Sequence, residues 1–438
     1  MDHPLILNNS LINFCIYGLG STGTSVIKYF NRKNFKEYQV WDDDKVLRSF
    51  YGYSGDKKKG EKIFSKYLDV ADYIVVSPGI SLKKAKLKKK LIENKDKIIT
   101  DLDLFYLFNP EIKTIVVTGT NGKSTTCKIL EHVLKKNKIN VRLGGNIGKP
   151  VLDVDLKTKP LVIIEASSFQ LAYSKFVKPD YAIILNITND HLDWHGSAKE
   201  YINSKFKIFS EQTKENSAFI SNKIFLKKYK KEKYRGKLKF VKPGKYNKIK
   251  KQVKNNYLNL EANQQNMSFV HAISKTLKIA DKSLINSLKS FKGLPHRHEI
   301  FYKKKNKVFI NDSKATSFEA SKFALKGNKN IFWIVGGFPK KGDKFYLKGI
   351  KKNIIKTYII GKSMNFFKRF LNRKVNLKLC KTIDIAIFSI IKDTKNITTK
   401  KITILFSPAS ASYDQFKNFE ERGNYFKKLV FKKFKLNA

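Results

Sequence analysis

Short apolar runs closed by polar or turn residues alternate with stretches of helical periodicity along most of the chain. Residues 13–17 form such a run and end in Gly18-Leu19-Gly20-Ser21-Thr22-Gly23, after which the pattern predicts a helix over 24–30. Further strands are predicted at 38–41, 73–76 and 97–100. Buried apolar runs with helical material between them are the pattern of a parallel sheet covered on both faces. Pro110 breaks the series, and a second unit opens with the β-branched run 114–117 and continues at 161–164 and 181–185. The lysine-dense stretch 223–254 is weakly periodic and predicts surface hairpins or loops carrying few functional residues. Residues 263–280 are helical in pattern. After Pro295 a third unit has strands predicted near 308–310, 331–335, 357–360 and 402–406. No internal repeat of 20–50 residues is visible.

The length, 438 residues, agrees with several domains, because a single core seldom grows beyond about 250–300 residues. Hydrophobic residues make up 42% of the chain, with 33 Phe and 20 Tyr, which is ample for packed cores and excludes a disordered basic tail. No apolar run is long enough for a conventional transmembrane helix. The opening patch Leu5-Ile6-Leu7 has no basic residues before it and no small-residue cleavage pattern, so no secretory signal is expected. Cys15, Cys127 and Cys380 are too dispersed for a disulfide framework or metal knuckle, and a reducing, cytoplasmic setting is expected. The net charge of +53 points at first to an anionic partner, but only eight of the 89 basic residues are arginine. Readers of nucleic acid rely on the arginine fork, whereas lysine here runs through every region. Background composition explains the charge better, and no specific nucleic acid is expected.

Candidate chemistry gathers at strand ends. The run 114–117 leads into Thr118-Gly119-Thr120-Asn121-Gly122-Lys123-Ser124-Thr125, a strand, a glycine-rich turn and the start of a helix. That order turns backbone N–H groups toward phosphate oxygens, brings Lys123 within reach of the β/γ-phosphates and offers the Ser124 hydroxyl to Mg²⁺. The spacing is a compact variant of the usual phosphate loop, with Val117 where a further glycine would stand. Glu165 closes the apolar run 161–164, at the sheet edge where α/β proteins bind ligands, and Ser167-Ser168-Phe169-Gln170 follow it. His191 follows another strand end, inside 186–195, and can bind a metal only as the neutral ring. Nothing local separates Lys205 from neighbouring lysines. Residues 18–23 match a dinucleotide fingerprint with Asp42 downstream, but the same turn cradles any diphosphate, and a second phosphate loop 100 residues on is foreign to a dehydrogenase. Gly293-Leu294-Pro295-His296-Arg297 and Asn311-Asp312-Ser313-Lys314-Ala315-Thr316 flank the first strand of the third unit and would suit a site at a domain junction.

Together these motifs resemble the Mur ligases of peptidoglycan synthesis, essentially end to end. The shared segments are GLGSTG at 18–23, SPGI at 77–80, TGTNGKST at 118–125, GGNIG at 144–148, EASSFQL at 165–171 and NITNDHLD at 186–193. They continue with GLPHR at 293–297, NDSKAT at 311–316 and SPASASYDQFKNFEERG at 407–423. Glu165 followed by SSFQL, and the final DQFKNFEERG, point to the D-glutamate-adding branch. The resemblance implies an α/β fold of three domains, with N- and C-terminal Rossmann-like parallel sheets flanking a central P-loop ATPase-type domain. Their expected ranges are 1–110, binding the UDP substrate, 111–298, binding ATP, and 299–438, binding D-glutamate and closing over ATP. It implies ATP-dependent joining of D-glutamate to UDP-N-acetylmuramoyl-L-alanine through an acyl phosphate, by a monomer without membrane insertion.

Residue by residue, the resemblance makes Ser21, Thr22, Asp42, Ser77, Asn146 and Ser167 contacts of the UDP substrate. Gly119, Thr120, Asn121, Gly122, Lys123, Ser124, Thr125, Asn263, Arg297 and Asp312 become ATP contacts. Ser124, Glu165, His191 and a carbamylated Lys205 become ligands or organisers of two Mg²⁺ ions, and Lys123, Glu165, His191 and Lys205 the catalytic set. Ser412 and Phe419 belong to the D-glutamate pocket. Four positions depart from the family pattern: Ala262 replaces a histidine before Asn263, Ser317 ends NDSKAT, Phe338 follows Gly336-Gly337, and Ser410 replaces a cysteine. None is a phosphate-loop or metal position. The alternatives are a sibling ligase for another amino acid, a folate polyglutamate synthase, or a catalytically weak nucleotide- or polyanion-binding protein. The first two are opposed by GLGSTG and DQFKNFE, the last by intact Lys123, Glu165, His191 and Lys205.

Overall fold

The computed structural model describes residues 12–435 except 52–56, Asn189, Asn256 and Lys341. The apolar patch at 5–7, together with Asn189 of the segment 186–193, lies outside the described residues. Among the described residues, sixteen strands form three sheets. The first contains β1 (Phe14–Tyr17), β2 (Tyr38–Trp41), β3 (Tyr73–Val76) and β4 (Ile98–Ile99), in the order β2-β1-β3-β4, all parallel. Phe14 and Ile16 enter one core and Cys15 and Tyr17 another, so β1 is covered on both faces, as its unbroken apolar run requires.

The second sheet is also wholly parallel. It contains β5 (Thr114–Thr118), β6 (Val141–Gly145), β7 (Leu161–Glu165), β8 (Tyr181–Ile184), β9 (Ser217–Ile220) and β10 (Lys237–Phe240), ordered β10-β9-β8-β5-β7-β6. The third contains β11 (Glu299–Lys304), β12 (Lys307–Asn311), β13 (Ile331–Gly336), β14 (Ile354–Ile360), β15 (Leu377–Lys381) and β16 (Ile402–Phe406), ordered β11-β12-β16-β13-β14-β15. Along β13 the side chains alternate, Phe332 and Ile334 into one core, Trp333 and Val335 into the other. The fold class expected from the sequence is therefore present, with one amendment. The third sheet is not purely parallel, because β11 pairs antiparallel with β12 across a two-residue turn.

A second correction concerns 223–254. Where hairpins or loops were expected, the chain forms helices Lys223–Lys231 and Pro243–Val253 on either side of β10. Phe225 and Tyr229, four apart, bury one side of the first helix, and Asn222 caps it by accepting N–H bonds from Ile224 and Phe225. Tyr246, Ile249 and Val253 do the same for the second. Lysine at the intervening positions hides this periodicity. Strands β6, β9, β11 and β15 were not expected at all, since their runs are short or carry lysine and glycine.

By contacts the chain divides into two compact units. One holds the first two sheets, up to Lys254 plus Gln264–Phe291; the other holds the third sheet together with Asn255–Asn263. Within the first, the helix Asp101–Phe108 is buried along nearly its whole length, and Leu102, Leu104 and Phe105 share a core with β1, β5 and β7. Thr100 and Asp103 close its N-terminus as a capping box. This helix joins the two sheets, and the space beside its first turn becomes the cavity described below.

Candidate active site

The turn after β5 is shaped by Gly122, whose φ of +86° caps the helix Lys123–Lys136. A side chain there meets a strain that glycine avoids, and a Cβ would also collide with Asn266 Oδ1. The turn is tied to the end of β8. Thr120 N–H donates to Asn186 O at 2.8 Å, Asn121 N–H to Asn186 Oδ1 at 2.9 Å, and Thr188 N–H to Thr120 Oγ1 at 3.0 Å. Gln265 holds Asn186 in place from the helix Gln264–Thr276, accepting its Nδ2–H at 3.0 Å. Lys123 Nζ donates to Gly119 O at 2.7 Å and Thr120 O at 3.0 Å. Ser124 and Thr125 are buried in the first helical turn.

Lys205 is brought to the same carbonyl. It lies on the helix Ala198–Phe206, is 1% exposed, and its Nζ donates to Gly119 O at 3.0 Å and sits 4.6 Å from the centre of the Tyr201 ring. Burial, and then the charge of Lys123, hold its ammonium well below the usual lysine range. Its burial sets it apart among the lysines of this chain. Around it stand Tyr201, whose hydroxyl bonds Thr120 Oγ1 at 2.9 Å, and His195, 5.2 Å from the Tyr201 ring. His195 is buried, bonded to Ser168 Oγ at 3.0 Å, and pushed down to about 4 by burial and by Lys205, so its ring is neutral at physiological pH.

Glu165 ends β7, opposite Val117 of β5, and is 2% exposed. Asn146 Nδ2–H donates to its Oε1 at 3.0 Å, while its Oε2 is buried without a hydrogen-bond partner. His191 has φ of +52°, lies 3.4 Å from Asp190 Oδ2 and meets the Phe169 ring edge-on at 4.7 Å. Among the described residues, no three His, Cys, Asp or Glu side chains cluster as a metal site. A single buried carboxylate with an unmet oxygen beside a phosphate loop is a donor set that suits Mg²⁺, which binds through one or two carboxylates and takes the rest from phosphates and water. The residues present fit that ion.

Between the first two sheets lies a cavity of about 540 Å³. Ser21, Thr22, Asp42, Ser77 and Asn146, five of the six residues expected to contact the UDP substrate, line it. Ser21 and Thr22 open the helix Ser21–Arg32, which starts earlier than its periodicity predicted, so they present a helix N-terminus to the cavity. Gly23 cannot carry a side chain, because a Cβ would strike Gly18 O. Asp42 accepts N–H bonds from Leu19 at 2.6 Å and Asp44 at 2.8 Å, and so shapes the turn. Ser77 Oγ–H donates to Gly18 O at 2.7 Å. Ser167, the sixth, does not line the cavity; its hydroxyl is engaged with Gln170 in the cap of the helix Ser168–Tyr173. Among the described residues the wall contains no lysine or arginine, in a chain with 89 of them. An anion held here is held by backbone N–H groups and hydroxyls.

The remaining expected residues lie in the second compact unit. Asn263 Nδ2–H donates to Tyr257 O at 2.7 Å, and Tyr257 packs under Gly293 of the GLPHR turn, which connects Asn263 to that turn. Asp312 is buried at the end of β12 and accepts from Ser407 Oγ–H at 2.7 Å and His298 N–H at 3.0 Å. Burial pushes its carboxyl up to about 7, against the favourable charge of Arg297. Phe419 opens the helix Phe419–Lys435, with Lys314 Nζ 3.6 Å above its ring, and Ser412 is buried in the loop after β16. Ser317 caps the helix Phe318–Gly327, Ser410 Oγ–H donates to Pro408 O at 3.2 Å, and Phe338 is 60% exposed.

Sequence reasoning missed three residues here. Asn266 sits against Gly122, and its only sequence signal is its place three residues after Asn263. Asp101 lines the cavity with Gln170. Arg422 is 1% exposed and binds Ser313 O, Ser410 O and Ala411 O at 2.8–3.1 Å, pinning three segments of the third unit. Its signal was the scarcity of arginine, since a lysine-rich chain keeps arginine where the rigid fork is needed.

Two family models match this chain, the Mur ligase middle domain over residues 117–288 and the MurD-like N-terminal domain of Mur ligases over 12–99. The UDP-N-acetylmuramoylalanine–D-glutamate ligase of Wolbachia sp. subsp. Brugia malayi is 34% identical over 94% of each chain. The chain belongs to the Mur ligase family. The enzyme of the same name from Rickettsia prowazekii is 34% identical, covering 94% of this chain and 96% of its own, and that of Aquifex aeolicus 31%, covering 96% and 98%. Among solved Mur ligase structures, MurF from Thermotoga maritima in complex with ADP has a TM-score of 0.57 at 17% identity, covering 86% of this chain and 93% of its own. UDP-N-acetylmuramate-alanine ligase MurC from Thermotoga maritima has 0.55 at 15%, covering 98% and 100%. These two share the Mur ligase fold. Among the described residues no helix is long and apolar enough to cross a membrane.

Proposed function

We infer that this Mur ligase joins D-glutamate to UDP-N-acetylmuramoyl-L-alanine at the expense of ATP, releasing ADP and phosphate, in the cytoplasm and as a monomer. The observation that carries this reading is the near end-to-end relation to D-glutamate ligases, at 34% identity over 94% of the chain. A phosphate loop and a separate cavity lined by the glycine-rich turn, in the same compact unit, support it. On this reading residues 1–110 take the uridine diphosphate end, 111–298 take ATP and 299–438 take D-glutamate.

The chemical problem is a carboxylate that repels nucleophiles and has no good leaving group. Its oxygen attacks the γ-phosphorus of ATP, the bond to the β-phosphate oxygen breaks, and an acyl phosphate and ADP result. Lys123 leaves its loop carbonyls to meet charge on the transferring group, while the N–H groups of 119–125 hold the phosphates. Ser124 and Glu165 would hold one Mg²⁺ and His191 with a carbamylated Lys205 a second, and these ions would supply charge neutralisation on the phosphate oxygens. Lys205, buried and with its ammonium form disfavoured, is suited to take up CO₂ as a carbamate. Asn146 orients Glu165 and faces the cavity, so one residue touches both halves of the site. The D-glutamate amine then attacks the acyl carbon, and phosphate departs from the tetrahedral intermediate. Ser412 and Phe419 are assigned to the amino acid, and Asn263, Arg297 and Asp312 to the nucleotide. Phosphate release from ATP with UDP-N-acetylmuramoyl-L-alanine tests the reading, comparing D-Glu with L-Glu, D-Asp and meso-diaminopimelate. Turnover with D-Glu alone is expected, and its absence would overturn the assignment.

A further inference from the structure

The cavity between the first two sheets contains a buried contact that none of the roles above uses. Asp101, the first residue of the helix Asp101–Phe108, is 2% exposed. Both its carboxylate oxygens accept from Gln170 Nε2, at 3.2 Å each, across from the helix Ser168–Tyr173. Gln170 Oε1 accepts from Ser167 N–H at 3.1 Å and Ser167 Oγ–H at 3.0 Å. Asp101 and Gln170 both line the cavity, close in sequence to neither the glycine-rich turn nor the phosphate loop.

A glutamine amide has two faces of nearly equal shape and opposite polarity, so its neighbours decide which way it points. Here donors from Ser167 hold the oxygen on one side, and the acceptor Asp101 holds the nitrogen on the other. Nε2 lies within hydrogen-bond reach of both Asp101 oxygens, and Gln170 is part of the cavity wall. The alternative orientation would set Oε1 against the Asp101 carboxylate and Nε2 against Ser167 N–H, two repulsive contacts in a buried place. Asp101 comes from the first sheet's side and Gln170 from the second's, so the amide is fixed only because the two sheets are joined at this helix.

We propose that Asp101 is a positioning residue for the UDP-sugar substrate, fixing the Gln170 amide so that its nitrogen serves the part of that substrate lying in this cavity. The proposal rests on the functional reading above. Among the described residues the cavity wall has no basic side chain, so correctly aimed neutral donors are what it offers to carbonyl and hydroxyl oxygens of a sugar–peptide.

The test compares steady-state kinetics of the full chain with Asp101→Asn, which keeps an acceptor for Gln170, and Asp101→Leu, which has none, after each is shown to be folded by circular dichroism. Asp101→Leu should raise the KM for UDP-N-acetylmuramoyl-L-alanine about tenfold or more, the loss expected for one hydrogen bond worth about 1.4 kcal/mol, with kcat and the KM for ATP within about threefold. Asp101→Asn should stay within about threefold throughout. In a Gln170→Met background, Asp101→Leu should add nothing further. Should Asp101→Leu fail to fold, Asp101→Ser, polar but too short to reach Gln170, takes its place with the same expectation. An unchanged substrate KM in Asp101→Leu, equal damage in Asp101→Asn, or an additive effect in the Gln170→Met background would overturn the proposal while leaving the ligase reading intact. Absence of D-Glu-dependent turnover in the wild type would overturn both.

Discussion

Gly122→Ala isolates what the phosphate loop contributes to nucleotide binding. Gly122 has φ of +86°, where an L-residue costs about 1–2 kcal/mol, and its new Cβ would collide with Asn266 Oδ1, so the Asn266 side chain or the loop must shift. Losing that packing adds about 1 kcal/mol. A loop that relaxes to escape this strain must be restored when ATP binds, so about 2–3 kcal/mol is drawn from nucleotide affinity, or about 30- to 150-fold. Gly349→Ala is the control, because Gly349 has φ of +77° with nothing within 4 Å of a new Cβ, and it shares the backbone strain without the collision. KM for ATP and for the UDP substrate, measured for both variants, separates the contributions. We expect KM(ATP) to rise in Gly122→Ala alone, with the UDP-substrate KM unchanged. An ATP KM within twofold of wild type in Gly122→Ala would refute the view that this loop geometry governs nucleotide binding.

Lys205→Ala should lose nearly all activity and recover part of it with added acetate or another short carboxylate; full activity without addition would exclude a carbamate role for Lys205. Glu165→Gln should reduce the rise in melting temperature that Mg²⁺ with a non-hydrolysable ATP analogue produces, and an undiminished rise would remove Glu165 from the metal site. Asp312 has a folded-state pKa pushed up to about 7 from 3.8, so the folded chain binds that proton more strongly than the unfolded one. Its contribution to stability is therefore full below about pH 4 and is lost as pH rises toward 7 and beyond. Asp312→Asn should flatten the fall in melting temperature between pH 4 and 7, and an identical slope would contradict that placement.

The parallel sheets were legible because their strands are unbroken apolar runs covered on both faces, which alternate between two cores as in β13. The helices of 223–254 were not, because lysine occupies most exposed positions of the first and half of those in the second, thinning the apolar period to Phe225 and Tyr229, or Tyr246, Ile249 and Val253. At the site, residues fixed by local backbone chemistry could be read directly: Gly119–Ser124 by their turn, Glu165 by its strand end. Lys205 could not, since its character comes from burial and from sharing Gly119 O with Lys123, 82 positions away in sequence, and only the family resemblance singled it out. Asp101 escaped for a similar reason, because its pairing with Gln170 exists only where two sheets meet. The +53 charge drew attention at once, yet among the described residues the cavity assigned to an anionic substrate carries no basic side chain.

The step on which the proposed reaction turns is phosphorylation of the L-alanyl carboxylate by ATP before D-glutamate attacks it. UDP-N-acetylmuramoyl-L-alanine labelled with ¹⁸O in its carboxylate, turned over with ATP and D-glutamate, tests this directly by mass spectrometry of the released phosphate. One ¹⁸O per phosphate, appearing only when D-glutamate is ligated, is the predicted result; unlabelled phosphate alongside ligated product would contradict the account.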